Sequence, residues 1–229
     1  IKMLNIFFAS LTSSIILFGF GIIFNYLFFN SSKNESNIYE TGIFGIILLS
    51  LISLFINFFL PINKFIGTIA LIVSFTVFFY FIYFIKKKFN VIAIILLVSF
   101  VTFTLITLSN INRPDAGLYH LPYVSLLQES KIIIGSANIH HRFGMVSIVQ
   151  YLSAIHNNYI FKTEFINVPL ACIFSFYIIF ILRKFYINLR ENDFEKIIIN
   201  FLIIIFSFYA FNRYSNYGND VSLYIYYFF

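Results

Sequence analysis

Long apolar runs dominate this chain, and they dictate what it can fold into. They cover residues 4–29, 42–62, 65–85, 90–109, 160–182 and 196–212, and a seventh opens near residue 220. A helix that crosses a bilayer needs about 20 predominantly apolar residues. Within hydrocarbon, every backbone N–H and C=O must be paired inside the segment or inside a closed barrel. The runs lack the period-two alternation of barrel strands. The expected fold is therefore all-α: a polytopic transmembrane helix bundle forming one transmembrane domain over residues 1–229. Composition agrees, since 60% of residues are hydrophobic and only 10% are charged. A soluble domain carries roughly 25% charged residues, so the lipid bilayer is the expected surroundings.

The formal net charge is +6. In a soluble chain that excess would suggest nucleic acid. Here the basic residues sit mostly in short loops between apolar runs, where they orient a protein in its membrane. Nucleic acid is not an expected partner. Lys86-Lys87-Lys88 separates the third and fourth runs, and Arg183, Lys184, Arg190 and Lys196 flank the loop between the fifth and sixth. The positive-inside rule places both loops in the cytoplasm. Lys64, Arg113, Lys131, Arg142, Lys162 and Arg213 then fall on the other side, so tight clustering sets the orientation, not raw counts. The first run is too long for the apolar region of a cleavable signal and reads as a span. The chain begins without Met and stops within the apolar stretch 221–229, as expected of a fragment of a longer protein. Cys172 is the only cysteine, which excludes an internal disulfide and a cysteine metal cluster.

One polar island interrupts the hydrocarbon. Residues 110–159 are expected to form an external loop with short helices near the membrane surface. The loop contains Asn112-Arg113-Pro114-Asp115-Ala116-Gly117-Leu118-Tyr119-His120 and Asn138-Ile139-His140-His141-Arg142-Phe143-Gly144. All four histidines, His120, His140, His141 and His156, lie within it. Pro122 predicts that the helix around residues 118–128 starts late or is kinked. The apolar stretch 144–156 is too short to span. It reads as interfacial, re-entrant or packed on other helices. Ser147, Gln150 and Ser153 recur along it at every third position. Two spans separate this island from the polar stretch 212–220, so the two share one face of the membrane. Arg213 and Asp220 can then converge with the island.

Each group of polar residues admits a structural and a chemical reading. Arg113 and Asp115 mark the exit of the fourth span, with Asp115 capping the next short helix. Alternatively, Asp115 is a carboxylate held at the water–lipid boundary, where partial desolvation raises its basicity. A helical turn there would set Asp115 and Tyr119 on one face and direct His120 elsewhere. His140, His141 and Arg142 either anchor a loop at the interface or supply donors to a phosphate, for which the Arg fork is suited. Adjacent histidines lack the i, i+4 spacing of a helical metal pair, so no metal ligands are assigned. A divalent ion shared between Asp115 and a phosphate ligand remains conceivable, and no other cofactor is indicated. Lys162 and Glu164 are expected to pair with each other or with headgroups at the outer end of the fifth span. The aromatic residues of the spans read as lipid-facing or core, not as a cofactor box.

The string Asp115-Ala116-Gly117-Leu118-Tyr119-His120-Leu121-Pro122, with Gly135-Ser136-Ala137-Asn138-Ile139-His140-His141-Arg142-Phe143-Gly144, resembles a group of uncharacterised bacterial multi-pass proteins. An Asp just outside a span, followed by Leu-Tyr-His and short surface helices, is similar to the first external loop of GT-C-type polytopic glycosyltransferases. The closer resemblance covers residues 110–160 and the Gly218-Asn219-Asp220 turn. It implies a protein of the bacterial inner membrane that transfers sugar from a polyprenyl-phosphate carrier at the extracytoplasmic face, in cell-envelope glycan assembly. The lipid-linked sugar is then the implied partner. Asp115 would be the general base or orient the acceptor hydroxyl. Arg142, Arg213 and a histidine would stabilise the departing lipid phosphate. Arg113, Tyr119, His120, Asn138, His140, His141 and Asp220 complete the expected substrate-binding set. The chain departs from the GT-C pattern in two respects: its acid follows the fourth span instead of the first, and it lacks a second adjacent acid. A transporter or flippase with an Asp/His proton relay, or a non-catalytic subunit of a polysaccharide assembly system, are the alternative expectations.

Overall fold

The computed structural model describes residues 2–29, 38–85, 88–108, 116–144, 147–161, 165–209 and 225. Its long helices are α1 (Lys2–Phe29), α2 (Ile38–Asn57), α3 (Lys64–Phe84), α4 (Lys88–Leu108) and α7 (Val168–Glu191). Each of these five is long and apolar enough to cross a membrane. The described part of α8 spans Phe194–Tyr209, and two short helices, α5 (Leu121–Glu129) and α6 (Ile148–Ile155), lie between α4 and α7. There is no strand among the described residues. The all-α polytopic bundle is thus the fold of this protein.

Helix α7 is its axis, with every residue from Val168 to Ile181 buried. Helix α1 packs against α2, α3, α4 and α7. In contrast, α3 buries only the stripe Gly67, Ala70, Leu71, Ser74 and Phe78, an i, i+3, i+4 pattern that marks one inward face. Many of its other apolar side chains, among them Phe79 and Tyr83, are exposed and face lipid, while Ile66, Phe75, Phe81 and Ile82 pack partly buried against the core. Lipid tails are as apolar as Leu, so helix association here relies on close backbone approach and interhelical hydrogen bonds. Both devices are present. A Cβ on Gly45 would collide with the Leu17 carbonyl, and one on Gly21 with the Thr41 carbonyl, so α1 and α2 touch backbone to backbone. Deeper in the bundle, Ser99 Oγ donates to Ser14 Oγ at 3.2 Å, and Thr102 Oγ1 donates to Ser175 Oγ at 2.8 Å. Cys172 Sγ lies 3.5 Å from Thr102 Oγ1 and 3.9 Å from Ser14 Oγ. This chain of hydroxyls and one thiol ties α1, α4 and α7 together.

Helix boundaries differ from the apolar runs for local reasons. The second run outlasts its helix, because α2 ends at Asn57 and Pro61 follows in a turn. The fifth run begins at residue 160, but α7 starts only at Val168. Asn158 Oδ1 accepts from the backbone N–H groups of Ile160 and Phe161 at 2.9 and 2.8 Å, a side-chain turn that holds this stretch out of the helix. Pro169 then occupies the first helical turn, where a missing N–H costs nothing. At its far end α7 continues to Glu191 and stops at Asn192, which adopts the left-handed conformation at φ 55°. The α7–α8 connection is therefore only Asn192-Asp193. Arg183, Lys184 and Arg190 ride on the helix instead of flanking a loop. Arg183 lies over the rings of Tyr39 and Tyr186, at 5.3 and 5.6 Å.

Successive spans alternate in direction, so the α3–α4 and α7–α8 turns share one end of the bundle. Residues 116–144 and 147–161 close the other end and are bonded to the α2–α3 turn. Ile62 N–H donates to the Leu127 carbonyl at 2.8 Å, and Ile132 N–H to the Asn57 carbonyl at 2.9 Å. Tyr159 N–H donates to Thr68 Oγ1 at 3.2 Å.

Candidate functional site

The helix expected around residues 118–128 does start late. Pro122 sits in the first turn of α5, and the residues before it, Ala116–His120, form a single π-helical turn. Such turns occur frequently at functional sites. This one buries Ala116 and His120, half-buries Tyr119, and leaves Gly117 and Leu118 exposed. Of the three settings expected for the stretch 144–156, packing on other helices is the one observed. Every residue of α6 from Val149 to Ile155 is buried, against α2, α3, α5 and α7.

Helices α5 and α6 run side by side in the same direction, and polar contacts join both ends of the pair. At the near end, Gln150 Nε2 lies 3.2 Å from His120 Nδ1, with both side chains buried. Next along, the buried hydroxyls of Tyr123 and Tyr151 are 3.4 Å apart. Burial, and then this contact, push the Tyr123 phenol above its ordinary ionisation range. At the far end, Gln128 Nε2 donates to the Ala154 carbonyl at 3.4 Å, and Asn157 Nδ2 donates to Gln128 Oε1 at 3.0 Å. His156 follows, wholly buried. Its Nδ1 bonds the Leu152 carbonyl at 2.8 Å, and its Nε2 has no hydrogen-bond partner. Burial lowers the His156 pKa to about 4, partly countered by the Leu152 bond.

The near end carries the candidate site. Phe143 anchors the 3-10 turn His141–Gly144 by packing on Tyr123, with ring centroids 5.3 Å apart. That anchor brings His140 within 5.3 Å of Phe143 and stacks it on Tyr119 at 6.4 Å and 15°. His141 stacks on His140 at 4.8 Å, and the Arg142 guanidinium lies over the Tyr119 ring at 5.4 Å. Tyr119 in turn contacts the His120 ring at 4.2 Å. Arg142 and His141 are exposed and His140 is half-buried, so the group faces outward over a buried His120 floor. Ser136 Oγ donates to the Phe143 carbonyl at 3.3 Å and closes the loop.

Five of the expected site residues, Tyr119, His120, His140, His141 and Arg142, are thus brought together. Asn138 is exposed and turns back on Gly135, to whose carbonyl its N–H donates at 2.9 Å. Arg113, Asp115, Arg213 and Asp220 lie outside the described residues, as does the Lys162–Glu164 pairing. Among the described residues, no group of three or more His, Cys, Asp or Glu side chains is placed to hold a metal ion. Gln150, Tyr123 and Tyr151 were not among the expected site residues. The first had a signal in the sequence: Ser147-x-x-Gln150 is a capping-box pattern, and the box forms. The tyrosines had none, because their pairing depends on how α5 and α6 lie together.

Fold and site together define a multi-pass membrane protein whose helix bundle is closed at one end by a docked polar segment. The chain belongs to the family described as Domain of unknown function (DUF8201), whose model matches residues 3–229. Neither the curated proteins nor the solved structures contain a match.

Proposed function

We propose that this protein is a GT-C-like glycosyltransferase of the bacterial inner membrane. It moves a sugar from a polyprenyl-phosphate donor to an acceptor hydroxyl at the extracytoplasmic face, in envelope glycan assembly. The observation that carries this reading is the outward-facing group of Arg142, Tyr119, His140 and His141 over His120, at the bundle end reached by the exit of α4. In this reading a lipid-linked phosphate reaches that end of the bundle, and a guanidinium with histidine N–H groups suits its oxygens. The basic Lys86-Lys87-Lys88 and the basic residues near the α7–α8 turn mark the opposite end as cytoplasmic.

Asp115 immediately precedes the π-helical turn in sequence. In this reading its carboxylate takes the proton of the acceptor hydroxyl as that oxygen bonds the anomeric carbon. The bond between that carbon and the phosphate oxygen breaks, and its electron pair leaves with the lipid phosphate. Arg142 and the histidine N–H groups stabilise that developing charge. The transporter alternative calls for ionisable residues inside the spans. Among the described residues, the buried polar side chains of the spans are Ser, Thr, Asn, Cys and Tyr177, and the ionisable Glu40 and Arg183 are only half-buried, Glu40 in the first turn of α2, which favours the transferase reading.

The test is sugar transfer by purified full-length protein in lipid nanodiscs, from a panel of radiolabelled polyprenyl-phosphate sugars. Transfer is expected, with a loss of about 100-fold or more in Asp115→Asn, the scale of a general base. Unchanged transfer in Asp115→Asn refutes the catalytic assignment. Normal glycan in cells carrying Asp115→Ala with Arg142→Ala, alongside a defect on deletion, would favour a non-catalytic assembly subunit.

A further inference from the structure

Gln150 is held in one orientation by its own helix. Ser147 caps α6: its Oγ accepts from the Val149 N–H at 3.3 Å, and the Ser147 N–H donates to Gln150 Oε1 at 3.4 Å. A backbone N–H can only donate, so the amide oxygen of Gln150 faces Ser147 and its NH2 faces the other way. That NH2 meets Nδ1 of His120 at 3.2 Å. An amide NH2 can only donate, so Nδ1 is the acceptor and the ring proton sits on Nε2. His140 repeats the arrangement, because the Arg142 N–H donates to its Nδ1 at 3.3 Å.

We infer that Gln150 is a positioning residue that fixes His120 as its Nε2–H tautomer, so that His120, like His140, serves the site as a hydrogen-bond donor. A histidine in that form offers a hydrogen-bond donor and not a base there, which leaves proton abstraction to a carboxylate. That last consequence rests on the transferase reading; the tautomer itself does not. Through the capping box, the proton position on His120 is tied to the seating of α6.

The experiment is nitrogen-15 NMR of the full-length protein in nanodiscs with labelled histidine, the His120 signals being assigned by their absence in His120→Gln. Nδ1 is expected to be unprotonated and Nε2 protonated. Gln150→Glu keeps an N3 acceptor for Ser147 and so preserves the capping box, but presents oxygen to the ring. It is expected to draw the proton to Nδ1, with circular dichroism showing that the variant is folded. A wild-type spectrum with Nδ1 protonated overturns the inference, as does an unaltered His120 pattern in folded Gln150→Glu. If that variant does not fold, the wild-type spectrum decides alone. In a protein that transfers sugar, Gln150→Glu is expected to lower kcat about 10-fold or more with little change in KM, since a donor lost in the transition state alone acts there. The expected tautomer in a protein that transfers no sugar supports the inference while removing the function proposed above.

Discussion

At Gly67 the closing segment bears directly on the backbone of a span. This glycine lies in the first turn of α3, and a Cβ there would run into the carbonyl oxygen of Asn157 and stand 2.6 Å from that of Ile155. Side-chain carbons do not approach closer than 3.0 Å, and both obstacles are backbone, so no rotamer change can relieve them. In Gly67→Ala the end of α6 must therefore retreat by at least several tenths of an ångström. Overpacking of this kind costs about 1–3 kcal/mol. The Thr68 bond to the Tyr159 N–H is the first to stretch, because it bridges the same two elements. If that cost falls on the docked state, the opening equilibrium of residues 156–161 rises roughly 5- to 150-fold, at 1.4 kcal/mol per factor of ten. Hydrogen exchange read by mass spectrometry on the protein in nanodiscs measures this directly. Gly117→Ala is the control, since a Cβ at that position meets nothing within 4 Å, and it should leave exchange and melting unchanged. Equal protection of residues 148–161 in wild type and Gly67→Ala would refute the docking argument.

The remaining predictions concern other parts of the segment and the bundle. His156 is neutral when folded, with a pKa of about 4, against about 6.5 in an unfolded chain. Between those values the unfolded state binds more protons, so stability should fall as pH drops from about 6.5 towards 4, by on the order of 3 kcal/mol. Denaturation midpoints against pH should show that slope in wild type and lose it in His156→Gln. Tyr123→Phe should cost about 1–3 kcal/mol by leaving the buried Tyr151 hydroxyl without this partner, and the double Phe variant should cost less than the two single variants added together. Thr102→Val should destabilise by about 0.5–1.5 kcal/mol through its lost bonds to Ser175 and Cys172, measured by thermal unfolding in detergent. If the protein transfers sugar as proposed, Arg142→Ala should reduce transfer more than Gly117→Ala, because only the former removes charge from the outward-facing group.

The helix bundle was legible in the sequence because the membrane leaves little choice: an apolar run of about 20 residues must be a helix. Helix ends were less legible, because they answer to single side chains. Asn158 delays α7 and Asn192 ends it, and an apolar window senses neither. Pro122 was a correct signal, and the π-helical turn ahead of it explains why Ala116 and His120 are both buried. The gathering of Tyr119, His120, His140, His141 and Arg142 was foreshadowed by their crowding in one polar island. Their stacking order was not, because it depends on Phe143 packing against Tyr123, a contact between residues 20 apart in the chain. Gln150 showed as one of three evenly spaced polar residues and through its capping-box spacing from Ser147, but its pairing with His120 of the π-helical turn had no local signal, because it depends on how that turn and α6 lie together.

The proposed function requires that the docked polar segment receive a lipid-linked phosphate. A photoreactive polyprenyl phosphate, with its diazirine next to the phosphate, tests it in nanodiscs by mapping the adducts on the full-length protein. Adducts are expected to concentrate on residues 116–144, to fall in Arg142→Ala and to be displaced by unlabelled polyprenyl phosphate. Adducts spread along the lipid-facing sides of α3 and α8, undiminished by competitor or by Arg142→Ala, would contradict it.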